Sequence, residues 1–414
     1  MNLLLPTYDL RSGKRIFRAV QPNCLAKGRF KVAVIDARTK RVVHERPWQP
    51  NLILDQGLDK IASMTWAAAF AYCAAGTGNT PTSDSSGGTT ASQSGTTVTA
   101  SAGFFASGDA GKLIRWGDGH EAEIRSFTDS THVTVDRSQT VTGATFTMYR
   151  VNQTGLTAEV AGGAGRSNNY LTGSPSCDSS RTGAVFTMTR TYDFSSPAGS
   201  TNYAEIGVSD SGTQSNNLFS RMLISGGSVT VLSTQQLRVT YQLQVTVNPT
   251  TPSSKTATIT GWPVLPATAT SGTEQMAAIG MSKVLTSGLS GAWDGFSLSN
   301  VCNEPSGSGQ IWISPSSDAH LSFPGSPDRR ANATAKDLSL GSYSNGNFYR
   351  DKTATFSAGE ANRTDYRSMG VAGGSFSTSI NDVGFCFLFD QAQTKDNTHT
   401  LALTFRFTWG RDLS

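Results

Sequence analysis

Residues 111–124, GKLIRWGDGHEAEI, gather Asp118, His120, Glu121 and Glu123 around the glycines Gly117 and Gly119. Carboxylates and an imidazole at such short spacing are the groups that a divalent-cation site or an acid–base pair would use. That chemistry needs the groups to converge on one point, and the spacing does not bring them there. On a strand leaving the GDG turn, Glu121 and Glu123 share one face while Ala122 and Ile124 take the other. A calcium loop would place oxygen donors at regular intervals and end on a bidentate Glu, which this run does not do. Gly and Asp between two strands are the residues a tight hairpin turn uses, Gly for positive φ and Asp for bonding the local backbone. The run reads as a turn, with no metal and no cofactor.

Other catalytic signals are equally thin. The five histidines (His44, His120, His132, His320 and His399) stand apart, with no H-E-x-x-H pairing, and no G-x-S-x-G nucleophile elbow occurs. GTGNTP and GGAGRSNN are Gly-rich but lack the strand-then-helix frame and the Lys of a phosphate-binding loop. The cysteines Cys24, Cys73, Cys177, Cys302 and Cys386 are odd in number and never in C-x-x-C spacing, which fits buried free thiols better than disulfides or zinc. The chain therefore does not read as an enzyme. Trp262, Trp293 and Trp312 lie in the less regular stretch 250–345. There they either anchor core or, at Trp293 and Trp312, stack on the sugar rings of a receptor.

Apolar residues make up 37% and charged residues 15% of the 414, with Gly, Ser and Thr filling the gap, a composition suited to short strands and many turns. No run of about 18 apolar residues is present to span a membrane. Residues 1–50 hold eleven Lys/Arg against three Asp/Glu, a net of +8 within an overall +4, which leaves −4 for the remainder. A basic leader on a mildly acidic body suggests docking on an acidic surface through Arg11, Lys14, Arg15 and Arg18. Aromatic residues are not interleaved among these cations as in single-strand nucleic-acid binders, so a nucleic-acid partner is not expected.

The elements that would position these residues are mainly β. RFKVAVIDARTKRVVHER (29–46) reads as a hairpin, and Asp55 caps a short helix with Leu58, Ile61 and Ala62 on one face. The stretch 76–103 has almost nothing to bury and reads as a Gly/Ser/Thr-rich linker. A small inserted β domain follows at 104–152, with strands at KLIRW, EAEIRSF, HVTVDR and TFTMYRV. LRVTYQLQVTV places Leu237, Val239, Tyr241, Leu243, Val245 and Val247 at every second position, and LALTFRFTW repeats the pattern from Leu401 to Trp409. The parallel extends backwards, because 192–212 aligns with 354–374, matching Phe194 to Phe356, Tyr203 to Tyr366 and Gly207-Val208 to Gly370-Val371. The expected fold is duplicated antiparallel β-sandwich units with a small inserted β domain and a short helix. The expected divisions are a basic arm at 1–27, a hairpin and helix of the first unit at 28–75, the linker, the insert, the first sandwich at 153–250, an irregular region at 251–344 and the second sandwich at 345–414.

The run RFKVAVIDARTKRVVHERPWQPNLILDQGLDKIA, with AAGTGNTP, AEIGVSDSG…NLFSRMLI and GFFASGDAGKLIRWGDGHEAEI downstream, resembles virion proteins of tailed bacteriophages over about half of the chain. The second repeat departs from the pattern, lacking EIG and carrying a Cys in place of the SRM segment. The resemblance implies a non-enzymatic structural subunit, a tail or tail-fibre component within the virion, made in the host cytoplasm. It would dock on other virion proteins of the tail or neck and form a homo-oligomer, a trimer in a fibre. The alternatives are a host-surface glycan-binding adhesin, a capsid or neck decoration protein and, against the reading as a non-enzyme, a polysaccharide-cleaving enzyme with paired carboxylates in a cleft.

Overall fold

The computed structural model describes residues 24–61, 66–171, 177–180, 184–214, 217–247, 253–258, 269–278, 310–315, 334–337, 339–340, 342–372, 383–397 and 401–413, with the short strands Thr7–Tyr8 and Arg15–Ile16. The architecture is mainly β. Leu237, Val239, Tyr241, Leu243 and Val245 are all buried, as a period of two on a half-wet sheet requires. Their strand, Gln235–Val247, pairs along its whole length with Cys24–Asp36 on one side and with Ala184–Asp193 on the other.

These strands belong to a nine-stranded sheet whose main path runs Cys177–Ser180, Ala184–Asp193, Gln235–Val247, Cys24–Asp36, Leu401–Arg411, Tyr349–Phe356, Ser339–Leu340. The strands Val42–Glu45 and Gln49–Pro50 also pair with Cys24–Asp36. The join between Cys24–Asp36 and Leu401–Arg411 is parallel, with Trp409, Gly410 and Arg411 beside Cys24, Leu25 and Ala26. One core runs under both halves of this sheet, from Phe30, Tyr203 and Tyr241 to Phe356, Tyr366 and Trp409.

The duplication extends through both layers. One further sheet runs Arg166–Ser167, Tyr72–Gly76, Glu205–Ser209, Leu218–Leu223, Leu52–Ile53. Another runs Thr334–Asp337, Gln310–Ser314, Arg363–Ala372, Val383–Lys395, Ala269–Ala278, then an extra edge strand, Ser253–Thr258. The two orders correspond strand for strand, and so does the register. Gly207 stands between Arg221 and Ala74, and Gly370 stands between Cys386 and Trp312. In the shared sheet the Phe194 amide bonds the Leu237 carbonyl at 2.9 Å, and Phe356 pairs with Leu401.

Several expected boundaries change. Residues 76–103 are not a linker, because Ser83–Ala100 is an 18-residue strand paired with His132–Tyr149. β-branched Thr suits a pleated surface, and Ala91, Val98 and Ala100 supply enough inward contact to seat the strand in a separate core with Ile114, Trp116, Ile124 and Phe146. The insert thus begins at Ser83, and the two strands expected at HVTVDR and TFTMYRV are one continuous strand, bulged between Val141 and Ala144. The arm expected at 1–27 overlaps the sheet, since Cys24–Lys27 already pair with Lys27's partner Gln244 and its neighbours up to Val247. The region 251–344, expected to be irregular, supplies Ala269–Ala278, Gln310–Ser314 and Thr334–Asp337 to the second unit's sheet. The short helix lies at Asp55–Ile61 with Leu54, not Asp55, at its cap, since the Leu58 amide bonds the Leu54 carbonyl at 3.0 Å and the Asp55 carboxylate is taken by Arg411. A single helical turn follows at Trp66–Ala69.

Candidate functional site

The GDG run forms the tight turn its composition calls for. Gly119 takes φ +89°, the Gly119 amide bonds the Trp116 carbonyl at 2.9 Å, and the Trp116 amide bonds the His120 carbonyl at 2.9 Å. The Asp118 carboxylate accepts the His120 amide at 3.0 Å and lies 2.9 Å from His120 Nδ1, and the amide bond in particular holds its pKa below the ordinary carboxylate value. Glu121 pairs with Arg115 at 3.3 Å and Glu123 with Arg125 at 3.0 Å, so the acids point to separate partners. Burial raises the pKa of both glutamates. Among the described residues no group of three or more His, Cys, Asp or Glu is placed to hold a metal. Beside the turn is a groove of about 510 Å³ whose lining includes Ser85, Arg115, Asp118, Thr145, Thr147 and Tyr149.

The strongest polar constellation lies elsewhere, on the outer face of the first unit's second sheet. Glu205 and Arg221 are completely buried there and paired, with Arg221 Nε and Nη2 at 3.0 and 2.8 Å from Glu205 Oε2. The Glu205 carboxylate also accepts the amides of Gly78 (3.2 Å), Thr157 (3.0 Å) and Ala158 (2.7 Å). The Arg221 guanidinium donates to the Thr80 carbonyl (2.7 Å), Gln153 Oε1 (3.1 Å) and Thr157 Oγ1 (3.3 Å). Residues 77–82 lead into the inserted domain and 150–158 lead out of it, so one ion pair grips both connections. A buried charge is tolerated only when paired and fully hydrogen-bonded, and here it is both. At the matching register positions the second unit carries Ser368 and Cys386. Both members of the pair are absent together from the unit in which only residues 315–333 separate the corresponding strands, Gln310–Ser314 and Thr334–Asp337. EIG and SRM are therefore a socket for the insert.

The DQGLDKI segment is a second junction. Gly57 lies so close to the strand Leu218–Leu223 that an added Cβ would stand 2.0 Å from the Phe219 carbonyl oxygen. The Leu58 carbonyl accepts Trp409 Nε1–H at 2.9 Å, and Asp59 accepts the Tyr343 hydroxyl at 2.6 Å and the Gly346 amide at 2.8 Å. Lys60 pairs with Asp210 at 2.6 Å, burial lowering its pKa, and Asp55 pairs with Arg411. The motif ties the first unit to the C-terminal strand of the second.

Of the residues singled out for docking, Arg11, Lys14 and Arg18 lie outside the described residues, and Arg15 is described only as part of a two-residue strand with Ile16, opposite Thr7–Tyr8. Trp262 and Trp293 also lie outside them. Trp312 belongs to a strand interior, opposite Ala335 and Gly370, and not to the loop in which sugar stacking was considered. Cys73 is a buried free thiol, its pKa pushed well up by burial. The chain matches no protein-family model, no curated protein and no solved structure.

Proposed function

We propose that the chain is a structural subunit of a bacteriophage particle, a tail or tail-fibre component that docks on neighbouring virion proteins and self-associates. The observation that carries this reading is the socket. The most deeply buried charges of the first unit, Glu205 and Arg221, hold one β module onto another through the module's two connections. The helix junction does the same between the units through Asp55, Asp59 and Trp409. Polar groups that fix domains rigidly suit an assembly protein, and three of the phage-like stretches, ILDQGLDKIA, AAGTGNTP and AEIGVSDSG…NLFSRMLI, fall on these two junctions. The test is localisation by imaging of purified particles, together with a chain truncated before Cys24, which leaves the strand Cys24–Asp36 whole. The expected result is density for the chain in the tail and a truncation that folds but does not incorporate. Absence from particles, or normal incorporation of the truncation, counts against the reading and against the arm respectively.

The adhesin reading finds its best geometry in the groove beside the GDG turn, where Arg115, Asp118, Thr147 and Tyr149 offer donors and acceptors suited to a hydroxyl-rich ligand. Glycan binding abolished by Arg115→Ala, with unchanged melting, supports that reading over pure assembly.

A further inference from the structure

The hairpin that follows Cys24–Asp36 leaves a strand edge bare. Val42–Glu45 is exposed at all four positions, and Val42 and Val43 are 55% and 56% accessible. The register slips at Val43, which has no partner between the pairs Val34–His44 and Ile35–Val42, so the ribbon bulges there with both valines turned to solvent. One side of this strand pairs with Ala33–Ile35, and no described strand pairs with the other. At the same end of the sheet, Leu232 is 46% exposed on a turn whose Thr234 carbonyl accepts the Ala37 amide at 3.0 Å. Three of the five large exposed apolar side chains among the described residues therefore gather here. An uncovered strand edge with apolar side chains is a ready template for pairing with another chain.

The charge at the tip is net positive, three cations to one carboxylate. Arg38, Lys40 and Arg41 crown the turn. The carboxylate of Asp36 is taken up by the turn itself, accepting the amides of Arg38 (3.1 Å) and Thr39 (2.6 Å) and the Thr39 hydroxyl (2.8 Å). Glu45 is engaged by Lys31 at 2.8 Å. Lys40 reaches the neutral Gln236 amide oxygen. The Asp36 charge also acts on Arg38, so within Asp36–Arg41 one carboxylate offsets one of three cations and a net positive charge remains. An antiparallel second copy centred on this strand would set Arg41 of each chain against Arg46 of the other, and like charges directly opposite are destabilising. A strand bearing carboxylates meets the opposite condition.

We propose that the edge Val42–Glu45 receives an extended acidic segment of a neighbouring protein as an added strand, held by main-chain bonds along the edge and by its carboxylates on Arg38, Lys40 and Arg41. Strand addition of this kind takes affinity from the backbone and specificity from alternate side chains. The inference rests on the assembly reading and gives it a partner chemistry.

The test uses the full chain and two capped octapeptides, one alternating valine with glutamate and one alternating valine with lysine, with binding followed by fluorescence anisotropy and hydrogen exchange. The glutamate peptide should bind and slow exchange of the 42–45 amides at least tenfold, and the lysine peptide should not. Val43→Pro, at the one position of this strand without a partner on Ala33–Ile35, and the double variant Arg38→Glu/Arg41→Glu should each weaken binding at least tenfold without changing the melting temperature. Equal binding of both peptides, or binding unchanged in the charge-reversed variant, overturns the proposal. So does a concentration-dependent dimer that Val43→Pro abolishes, or duplex DNA that outcompetes the glutamate peptide at this edge. The peptide result is read on the isolated chain, so its failure is distinguishable from a failure to find the chain in particles.

Discussion

Replacing Arg221 with Met isolates the energetics of the insert's socket. The substitution keeps an unbranched apolar stem but removes the guanidinium and its five hydrogen bonds, two to Glu205 and one each to Gln153, Thr80 and Thr157. It leaves a fully buried carboxylate with no cation. Losing one partner of a buried ion pair costs about 3–5 kcal/mol. Against a total stability of about 5–15 kcal/mol, that is a large fraction. Adding Glu205→Gln should then restore part of the loss, because a Gln oxygen in the place of Oε1 still accepts the Gly78 and Ala158 amides without a buried net charge, and only the Thr157 amide loses its acceptor. The double variant should recover about 1 kcal/mol or more over Arg221→Met alone, a coupling expected of neighbours that share one network. The assay is urea unfolding followed by tryptophan fluorescence, paired with hydrogen exchange. Amides of 77–82 and 153–158 should lose protection first in Arg221→Met, while those around Ile124 and Val133, in the insert's own core, keep theirs. A loss under about 1 kcal/mol, no recovery in the double variant, or uniform loss of protection would refute the socket.

Gly57→Ala should destabilise the chain although Ala favours helix by about 1 kcal/mol, since the new Cβ meets the Phe219 carbonyl oxygen at 2.0 Å, and urea unfolding will show the sign. The Asp129 carboxyl, held down to about 2 first by the Thr131 hydroxyl and then by the Thr131 amide and His132, should titrate by NMR far below an ordinary Asp, and Thr131→Ala should move its midpoint up. Because the folded value is depressed, whatever stability this group adds is present above the ordinary Asp range near 3.8 and is lost as pH falls through about 2. Cys73 should resist iodoacetamide at pH 8 in the native protein and react once unfolded, as peptide mass spectrometry will report, because its thiol is both buried and shifted far up.

What the residues disclosed in advance was whatever repeats at period two or aligns between the halves. Leu237 to Val245 and the match of Phe194 to Phe356 carry the fold without help from tertiary contacts. The strand Ser83–Ala100 stayed hidden because Ala91 and Val98 are its main apolar contributions in a run of Ser, Thr and Gly, and its partner lies beyond a second hairpin. The equivalence of Ala74 and Trp312 was also hidden, since a small residue under an inserted domain and an indole share no side-chain signal, only a place opposite glycine. For the socket, the clue was one acid in AEIGV and one base in LFSRMLI, opposite charges in two strands otherwise fit for burial. Their convergence with Gly78, Thr80 and Gln153 depends on how the insert's two connections cross the sheet, which spacing alone does not specify.

The parallel contact of Trp409–Arg411 with Cys24–Ala26 has a consequence for biosynthesis. The opening strand leaves the ribosome nearly four hundred residues before the segment that completes its flank. Until then the helix carbonyl of Leu58 lacks its indole donor and Asp55 lacks its guanidinium. The nascent first unit must wait, half zipped, until Leu401–Arg411 has been made, a late closure that exposes it to misassembly on the way.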